Sequence, residues 1–436
     1  MNNNSEPNID QLLPQDPDAS LPLDELEKYF ADSIGTDYAV VVGSGRAGIM
    51  YALLAMGFKP SSEVIIPDFS CEAVPISVLG ARAMPVFCDV DPKSLNLDIG
   101  CLRDSITPRT RAVLVVHLYG IPVDVAPVRE ICEEKDLCLI EDAAQACGTR
   151  FKGKRIGSFG DVGIFSFAKC TSVPYGGAIT TNDGNLANRI RDLRNARKVA
   201  NPKMLLGRHK LLRLLLRSKT FRYLAPILSQ RMKSSMGRRK NRRFWVDEEG
   251  FCATSQETYG QLLRGLAEVG FEEGLVEDLM SYDGKSSWDY LMDTLDCTVV
   301  KDQLGQLENQ LNSRRAVARI YSDRALRIGL TPFAVPNEAE PGYFKFPVLL
   351  HDDARLESHR LASLLGSRGV HIDYHYRPLH LAPMFRDMGK KSDFVGTDEL
   401  SRRLLPLPLD PTYTKDKIER IMGRIEAAIS ESALNP

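Results

Sequence analysis

Short apolar strands alternate with helical segments over the first third of the chain, and this alternation is what most limits the possible folds. Because strands joined through helices pair in parallel and are covered on both faces, it predicts an α/β fold with a mostly parallel sheet between two helical layers. The predicted strands lie at 38–42, 63–67, 85–91, 112–116 and 138–140, and predicted helices lie at 22–34, 72–79, 126–134 and 186–199.

Length and composition indicate a globular chain of more than one domain. A chain of 436 residues with 43% hydrophobic residues can bury a large core, and two or three domains are expected at this length. The 56 Lys and Arg nearly balance the 57 Asp and Glu, so no overall field favours nucleic acid or a membrane. Nine cysteines without CxxC spacing argue against a metal site and a disulfide framework, so free thiols in a reducing cytoplasm are expected.

Changes in composition divide the chain into four segments. Residues 1–21 are polar and contain prolines, which predicts a flexible lead-in that is neither a signal peptide nor a spanning helix. Residues 22–200 form the large α/β domain, and residues 201–296 form an insertion. Residues 297–436 begin with a long helix and continue as a smaller C-terminal α+β domain. The elements predicted there are a helix at 302–327, a strand at 343–350, a helix at 354–368, a strand at 370–374 and a helix at 415–430.

The insertion is first basic and then acidic. Residues 203–243 contain fourteen Lys or Arg and no Asp or Glu, whereas residues 246–296 contain thirteen acids and only two basic residues. Mutual neutralisation of the two parts is the favoured interpretation, because basic amphipathic patterns are often ordinary solvated helices. The alternative is a basic helix at a membrane surface or on a polyanion. The sequence contains no apolar run of about 18 or more residues, so no transmembrane span is predicted.

Polar residues follow two predicted strands and are expected to meet at one edge of the sheet. Asp142 and Gln145 follow one apolar strand, and Ser166 and Lys169 follow another. The carboxyl ends of parallel strands share one edge, so these four side chains would form one site for a flat, anionic ring. A glycine turn at 43–48 opens a helix after the first strand, and backbone N–H groups at a helix start favour phosphate.

These residue types suit pyridoxal phosphate. A lysine forms an aldimine with its aldehyde, and a carboxylate facing the pyridine nitrogen keeps the ring protonated. The candidate roles are Lys169 for the aldimine, Asp142 for the pyridine nitrogen, Gln145 for the ring hydroxyl, and Ser166, Arg46 and the Gly45 to Ala47 amides for the phosphate. The residues alone leave other roles open, since such side chains are also helix caps, exposed lysines or serines bonded to backbone.

From 22 to 183 and from 300 to 428 the chain resembles the DegT-type (DegT/DnrJ/StrS) sugar aminotransferases, a fold-type I family that uses pyridoxal phosphate. Several short blocks carry the resemblance, and their occurrence in this order is specific. They are 44–47, 64–70, 115–120, 140–145, 152–158, 165–167 and 176–183. The resemblance implies the three-layer large domain with a smaller C-terminal domain, and the same roles for Lys169, Asp142, Gln145 and Ser166.

The sequence departs from the family pattern at the lysine and at the ring face. The family usually places its lysine five residues after the serine, where this chain has Thr171. A two-residue gap before Ala168 brings Lys169 into register. Cys71 stands where the family often stacks an aromatic side chain on the cofactor ring. The family asparagine that reaches the phosphate of the partner subunit falls at Thr294.

The resemblance implies an aminotransferase in the cytoplasm that acts as a homodimer with its active site at the subunit boundary. Glutamate is the expected amino donor and a keto-sugar, nucleotide-linked, the expected acceptor. Candidates for the substrate pocket are His117, His375, Tyr376 and His380. Two alternatives remain open: a dehydratase-like lyase using the same cofactor, and a non-catalytic protein whose insertion contacts a membrane or polyanion.

Overall fold

The computed structural model describes residues 21–173, 175–196, 245–246, 252–253, 292, 294–351, 357–373, 376–382, 385 and 393–434. Within them the strands are β1 (Tyr38–Val42), β2 (Glu63–Pro67), β3 (Met84–Cys88), β4 (Thr110–Val116), β5 (Cys138–Asp142), β6 (Arg150–Phe151), β7 (Lys154–Arg155), β8 (Val162–Ser166), β9 (Gly177–Thr181), β10 (Trp245–Val246), β11 (Cys252–Ala253), β12 (Thr331–Pro332), β13 (Ala339–Glu340), β14 (Phe346–Leu349) and β15 (Leu404–Leu407).

The α-helices in the same part of the chain are α1 (Leu21–Ile34), α2 (Gly45–Ala55), α3 (Ala73–Gly80), α4 (Ile99–Ser105), α5 (Ala126–Lys135), α6 (Phe167–Cys170), α7 (Gly184–Ala196), α8 (Thr294–Gly305), α9 (Leu307–Arg327), α10 (Ser358–Ser367), α11 (Val395–Arg403) and α12 (Lys415–Leu434). Among them, no helix is both long and apolar enough to cross a membrane.

A seven-stranded sheet forms the centre of the large domain, in the order β1-β9-β8-β5-β4-β2-β3. Strands β8, β5, β4, β2 and β3 pair in parallel, whereas β9 is antiparallel to both of its neighbours. All strands except β9 therefore run in the same direction, and the predicted mostly parallel sheet is confirmed.

The sheet is buried on both faces because its strands alternate their side chains between two apolar cores. In β1, Val40 and Val42 belong to one core, while Ala39 and Val41 belong to the other. The first core includes side chains of α2 and α3, and the second includes Leu26 of α1 and residues of α8. The uniform apolar character of the strands in the sequence reflects this burial from two sides.

The C-terminal part has a third core, built on the sheet β12-β14-β15 and on α9, α10 and α12. Helix α9 connects two cores, because Leu307 and Leu311 lie in the second and Tyr321 in the third. The predicted helix over 302–327 is divided at Gln306 into α8 and α9.

Two predictions for the later part of the chain need correction or lie outside the described residues. The strand predicted at 370–374 is wrong over 370–373, where the Val370 N–H instead donates to the Leu365 carbonyl and closes α10. Most of the insertion at 201–296, with its basic and acidic parts, lies outside the described residues, as does the lead-in at 1–20. Of the insertion, β10 and β11 form an antiparallel pair and α8 begins at Thr294.

Strand β1 is an edge strand whose outward backbone groups are bound by charged side chains. Glu27 of α1 accepts from the Val41 N–H at 2.9 Å. Arg194 and Arg191 of α7 donate to the carbonyls of Val41 and Ala39 and also bind Glu27. These three charged side chains occupy the outward backbone groups of Ala39 and Val41, so those groups are not available to pair with another strand.

Replacing Glu27 with Ala should destabilise the protein by about 3–5 kcal/mol, because Arg194 would remain buried without its counter-charge. Glu25→Ala is the matched control, since Glu25 lies on the same helix and pairs with Lys301 with its side chain 64% exposed. That loss should stay below about 1 kcal/mol. Urea unfolding measures both, and equal losses in the two variants would contradict this account of the edge.

Candidate active site

The carboxyl ends of β5 and β8 bring Asp142 and Ser166 to one rim of the sheet, as the sequence predicts. The two strands are neighbours, with Asp142 opposite Ile164 and Ser166 two residues further along β8. Asp142 and Ser166 are therefore adjacent because β5 and β8 are neighbours in the sheet, and that strand order depends on distant parts of the chain.

The start of α2 lies beside Ser166 because Gly177 has no side chain. A Cβ at Gly177 would lie 2.4 Å from the Phe165 carbonyl oxygen and 2.9 Å from the Gly45 nitrogen. A Cβ at Gly45 would lie 3.4 Å from the Ser166 Cβ. Glycine at 177 is thus what allows the helix start to approach the end of β8.

The helix start and the serine offer hydrogen-bond donors at this point. Ser44 caps α2, with its Oγ accepting from the Ala47 N–H at 3.2 Å. The Ala47 amide, one of the predicted phosphate donors, is therefore already engaged. Gly45 and Arg46 occupy the first two positions of the helix. The Ser166 hydroxyl makes no hydrogen bond with any described residue.

Asp142 is buried with one carboxylate oxygen engaged. Its Oδ1 accepts from the Ala144 N–H at 2.9 Å, and no described residue donates to Oδ2. Burial raises the pKa of Asp142 above its usual range, and the Lys169 ammonium partly opposes this rise. Asp142 and Lys169 therefore act on each other across the rim.

Lys169 lies on α6, the single helical turn that follows β8. Its Nζ is 5.9 Å from the centroid of the Phe344 ring, and the Nζ of Lys345 is 5.7 Å from the same centroid. Burial raises the pKa of the Cys71 thiol, again with Lys169 opposing the rise. Lys169, Asp142 and Cys71 thus come together at the site.

Thr171, at the position that holds lysine in the family pattern, faces inward. It is buried, and its hydroxyl donates to the Phe167 carbonyl at 2.8 Å. Thr171 therefore offers no amine to a cofactor, and Lys169 stays the predicted aldimine residue.

Helix α8 holds the loop after Lys169, a contact that the sequence did not indicate. The Ser172 N–H donates to Gln303 Oε1 at 2.6 Å, and Gln303 Nε2 donates to the Ser172 hydroxyl at 2.7 Å. Tyr175 donates its hydroxyl proton to Asp296. More than one hundred residues separate these partners, so no local pattern could have identified them.

Gln145 is fixed at both ends of its side chain. Oε1 accepts from the backbone N–H of Tyr119 at 2.8 Å, and Nε2 donates to the hydroxyl of Tyr376. Tyr376, a predicted substrate residue, therefore contacts a predicted cofactor residue.

His117 and His380 are bound to buried carboxylates. The His117 ring is fully buried; its Nδ1 accepts from the Val123 N–H, so its Nε2 carries the proton and donates to Glu141. His380 Nδ1 lies 2.6 Å from Asp68 Oδ2, and its backbone N–H donates to Asp68 Oδ1. Both rings thus make structural contacts. The sequence did not single out Glu141 or Asp68.

Two other predicted residues are not fully described. His375 lies outside the described residues. Thr294 is the first residue of α8, and its side chain is likewise outside the described part.

Comparisons with known proteins show the family of the chain. The profile of the DegT/DnrJ/EryC1/StrS aminotransferase family matches residues 22–233 and 239–426. GDP-perosamine synthase from Caulobacter vibrioides is 27% identical over 414 residues, covering 93% of this chain and 89% of that protein. L-glutamine:2-deoxy-scyllo-inosose aminotransferase from Streptomyces fradiae is 43% identical over 167 residues, covering 38% of this chain and 39% of that protein.

The solved structures give the same result for the fold. The crystal structure of S. venezuelae DesV in complex with a ketimine intermediate matches with a TM-score of 0.66 and 25% identity, covering 94% of this chain and 89% of that one. The predicted fold-type I architecture is therefore confirmed. The chain belongs to the DegT/DnrJ/EryC1/StrS family and is an aminotransferase that depends on pyridoxal 5′-phosphate.

Proposed function

We propose that this aminotransferase moves the amino group of glutamate onto the keto carbon of a nucleotide-linked sugar. The observation that carries the proposal is that Asp142 and Ser166 end neighbouring strands beside the start of α2, with Lys169 on the helical turn that follows Ser166. The GDP-perosamine synthase that aligns with 93% of the chain supports an acceptor of the nucleotide-sugar class.

The residues at the rim fit the polar groups of pyridoxal 5′-phosphate. Oδ2 of Asp142, to which no described residue donates a hydrogen bond, suits a protonated pyridine nitrogen, and Gln145 suits the ring hydroxyl. The Ser166 hydroxyl and the first turn of α2, including Arg46, suit the phosphate. Cys71 would lie at the ring face. When bound, the cofactor supplies an electron sink that stabilises a carbanion at the substrate carbon.

Lys169 is the residue proposed to hold the cofactor covalently and to move the proton. Its amine would move a proton from Cα of the amino donor to C4′ of the cofactor and, in the second half-reaction, from C4′ to the sugar carbon. Asp142, kept charged, holds the proton on the pyridine nitrogen throughout. The contacts of Gln303 with Ser172 keep the loop after Lys169 in place.

The family resemblance and one relative differ in the amino donor. The resemblance points to glutamate, whereas the relative from Streptomyces fradiae carries L-glutamine in its name. The two amino acids share the α-carbon chemistry that Lys169 would perform and differ only at the distal group. Comparing the spectral change of the bound cofactor with each amino acid decides between them.

Borohydride reduction of the loaded protein should attach the cofactor to Lys169, because reduction makes the lysine linkage permanent. Peptide mapping by mass spectrometry locates the adduct. Lys169→Ala should give none, while Lys345→Ala should label normally, although Lys345 faces the same Phe344 ring. An adduct on Lys345 in the wild type would overturn the assignment. In a separate analysis of the reaction product, a deoxygenated sugar without new nitrogen would indicate a lyase.

Cofactor affinity should fall at acid pH with a midpoint above the usual Asp range near 4. Burial raises the pKa of Asp142, so protonation occurs at a higher pH and removes the anion that balances the pyridine proton. The affinity is thus present above this pKa and is lost as the pH falls through it. Asp142→Asn should bind weakly throughout and lack this acid limb, as measured by fluorescence titration.

Asp136→Asn is the control for that titration. Asp136 is exposed, lies at the opposite end of β5 and has a left-handed backbone that asparagine also adopts. Its acid limb should match the wild type. An acid limb that persists in Asp142→Asn would assign the titration to another group.

We also propose a cytoplasmic homodimer, following the resemblance, in which the partner completes the site near Thr294. Sedimentation equilibrium should give twice the chain mass of 48.6 kDa. A monomer at micromolar concentration that still carries out the reaction would contradict a shared site.

A further inference from the structure

The carboxamide of Gln145 has a single orientation, which its neighbours determine. The Tyr119 backbone N–H can only donate, so the atom 2.8 Å away must be the amide oxygen. The amide nitrogen is then the atom that meets the Tyr376 hydroxyl. Gln145 is 7% exposed and Tyr376 9% exposed, so water has little access to replace either contact.

Tyr119 reaches Gln145 through an unusual backbone. It has φ of 58°, in the left-handed region, and the next residue, Gly120, has φ of 77°. A Cβ at Gly120 would lie 2.8 Å from the Tyr343 nitrogen and 3.0 Å from the Gln145 carbonyl oxygen. The chain is therefore packed so closely here that the Tyr119 N–H has a fixed direction.

Tyr376 is held from the other side by the large domain. Its ring lies 6.0 Å from the Tyr119 ring and 6.4 Å from the Phe69 ring, edge-on to the latter. Three residues later, the Leu379 N–H donates to the Asp68 carbonyl at 3.0 Å, and His380 binds the Asp68 carboxylate. Hydrogen bonds to Asp68, the residue that follows β2, thus hold the segment that carries Tyr376 against the large domain.

We propose that Tyr376 is a positioning residue, which together with the Tyr119 N–H orients the Gln145 amide so that its nitrogen donates to the hydroxyl of the cofactor ring. The amide nitrogen has two N–H bonds. One is directed to Tyr376, and this fixes the direction of the second. The inference rests on the proposed function, in which Gln145 faces the ring hydroxyl.

This role differs from the substrate contact predicted for Tyr376 from the sequence. A donor to the ring oxygen stabilises the more negative, deprotonated form of the bound cofactor. Loosening that donor should raise the midpoint pH at which the cofactor absorbance changes, even with no substrate present. A residue that only touched the sugar would leave this midpoint unchanged.

The test is Tyr376→Phe, which keeps the ring packing against Phe69 and Tyr119 and removes only the hydroxyl. Relative to wild type, the absorbance midpoint should rise by about 0.3 to 1 pH unit, and the cofactor should dissociate about threefold to tenfold more readily. Thermal unfolding of the cofactor-free protein checks that the variant is folded. Tyr321→Phe is the control, since its buried hydroxyl binds the Pro408 carbonyl in the C-terminal core.

A double-mutant cycle with Gln145→Ala isolates the coupling. If Tyr376 acts through Gln145, adding Tyr376→Phe to Gln145→Ala should change the midpoint little further. A full additional shift in that background, or a Tyr376→Phe midpoint equal to wild type, overturns the inference alone. Wild-type protein that binds no cofactor overturns both the inference and the proposed function.

Discussion

The candidate cofactor residues of this protein lie at the carboxyl edge of a sheet that is buried on both faces. Strand β1 shows the reason, because its consecutive side chains enter two different apolar cores. A polar side chain within such a strand must leave water and is stable only where the fold supplies hydrogen-bond partners. Reactive groups therefore occur where the strands end, and the order of the strands decides which of those ends are neighbours.

Adjacent acids at this edge have opposite environments. Glu141 accepts from His117 and from the backbone N–H groups of Gly157, Phe159 and Gly160, so its carboxylate is fully engaged. Asp142, the next residue, points to the other face of the strand and has one oxygen to which no described residue donates a hydrogen bond. A carboxylate thus stabilises the fold at one position, and a second carboxylate can bind a ligand at the next.

The C-terminal part is joined to this edge by two aspartates at the ends of neighbouring strands. Asp68, after β2, binds His380, and Asp89, after β3, accepts from the N–H groups of Gly396 and Thr397 at the start of α11. This attachment places Tyr376 against Gln145. A residue more than two hundred positions away can therefore influence the orientation of a side chain at the cofactor site.

Sequence alone predicted the first five strands, the mostly parallel direction of the sheet and the rim at Asp142 and Ser166, because apolar periodicity and strand ends are local properties of the chain. Tertiary structure decided the rest. The contacts of Gln303 with Ser172, of Tyr376 with Gln145 and of His117 with Glu141 all join residues distant in sequence. Such contacts form only when the chain is folded, so hydrogen-bond partners cannot be derived from spacing alone.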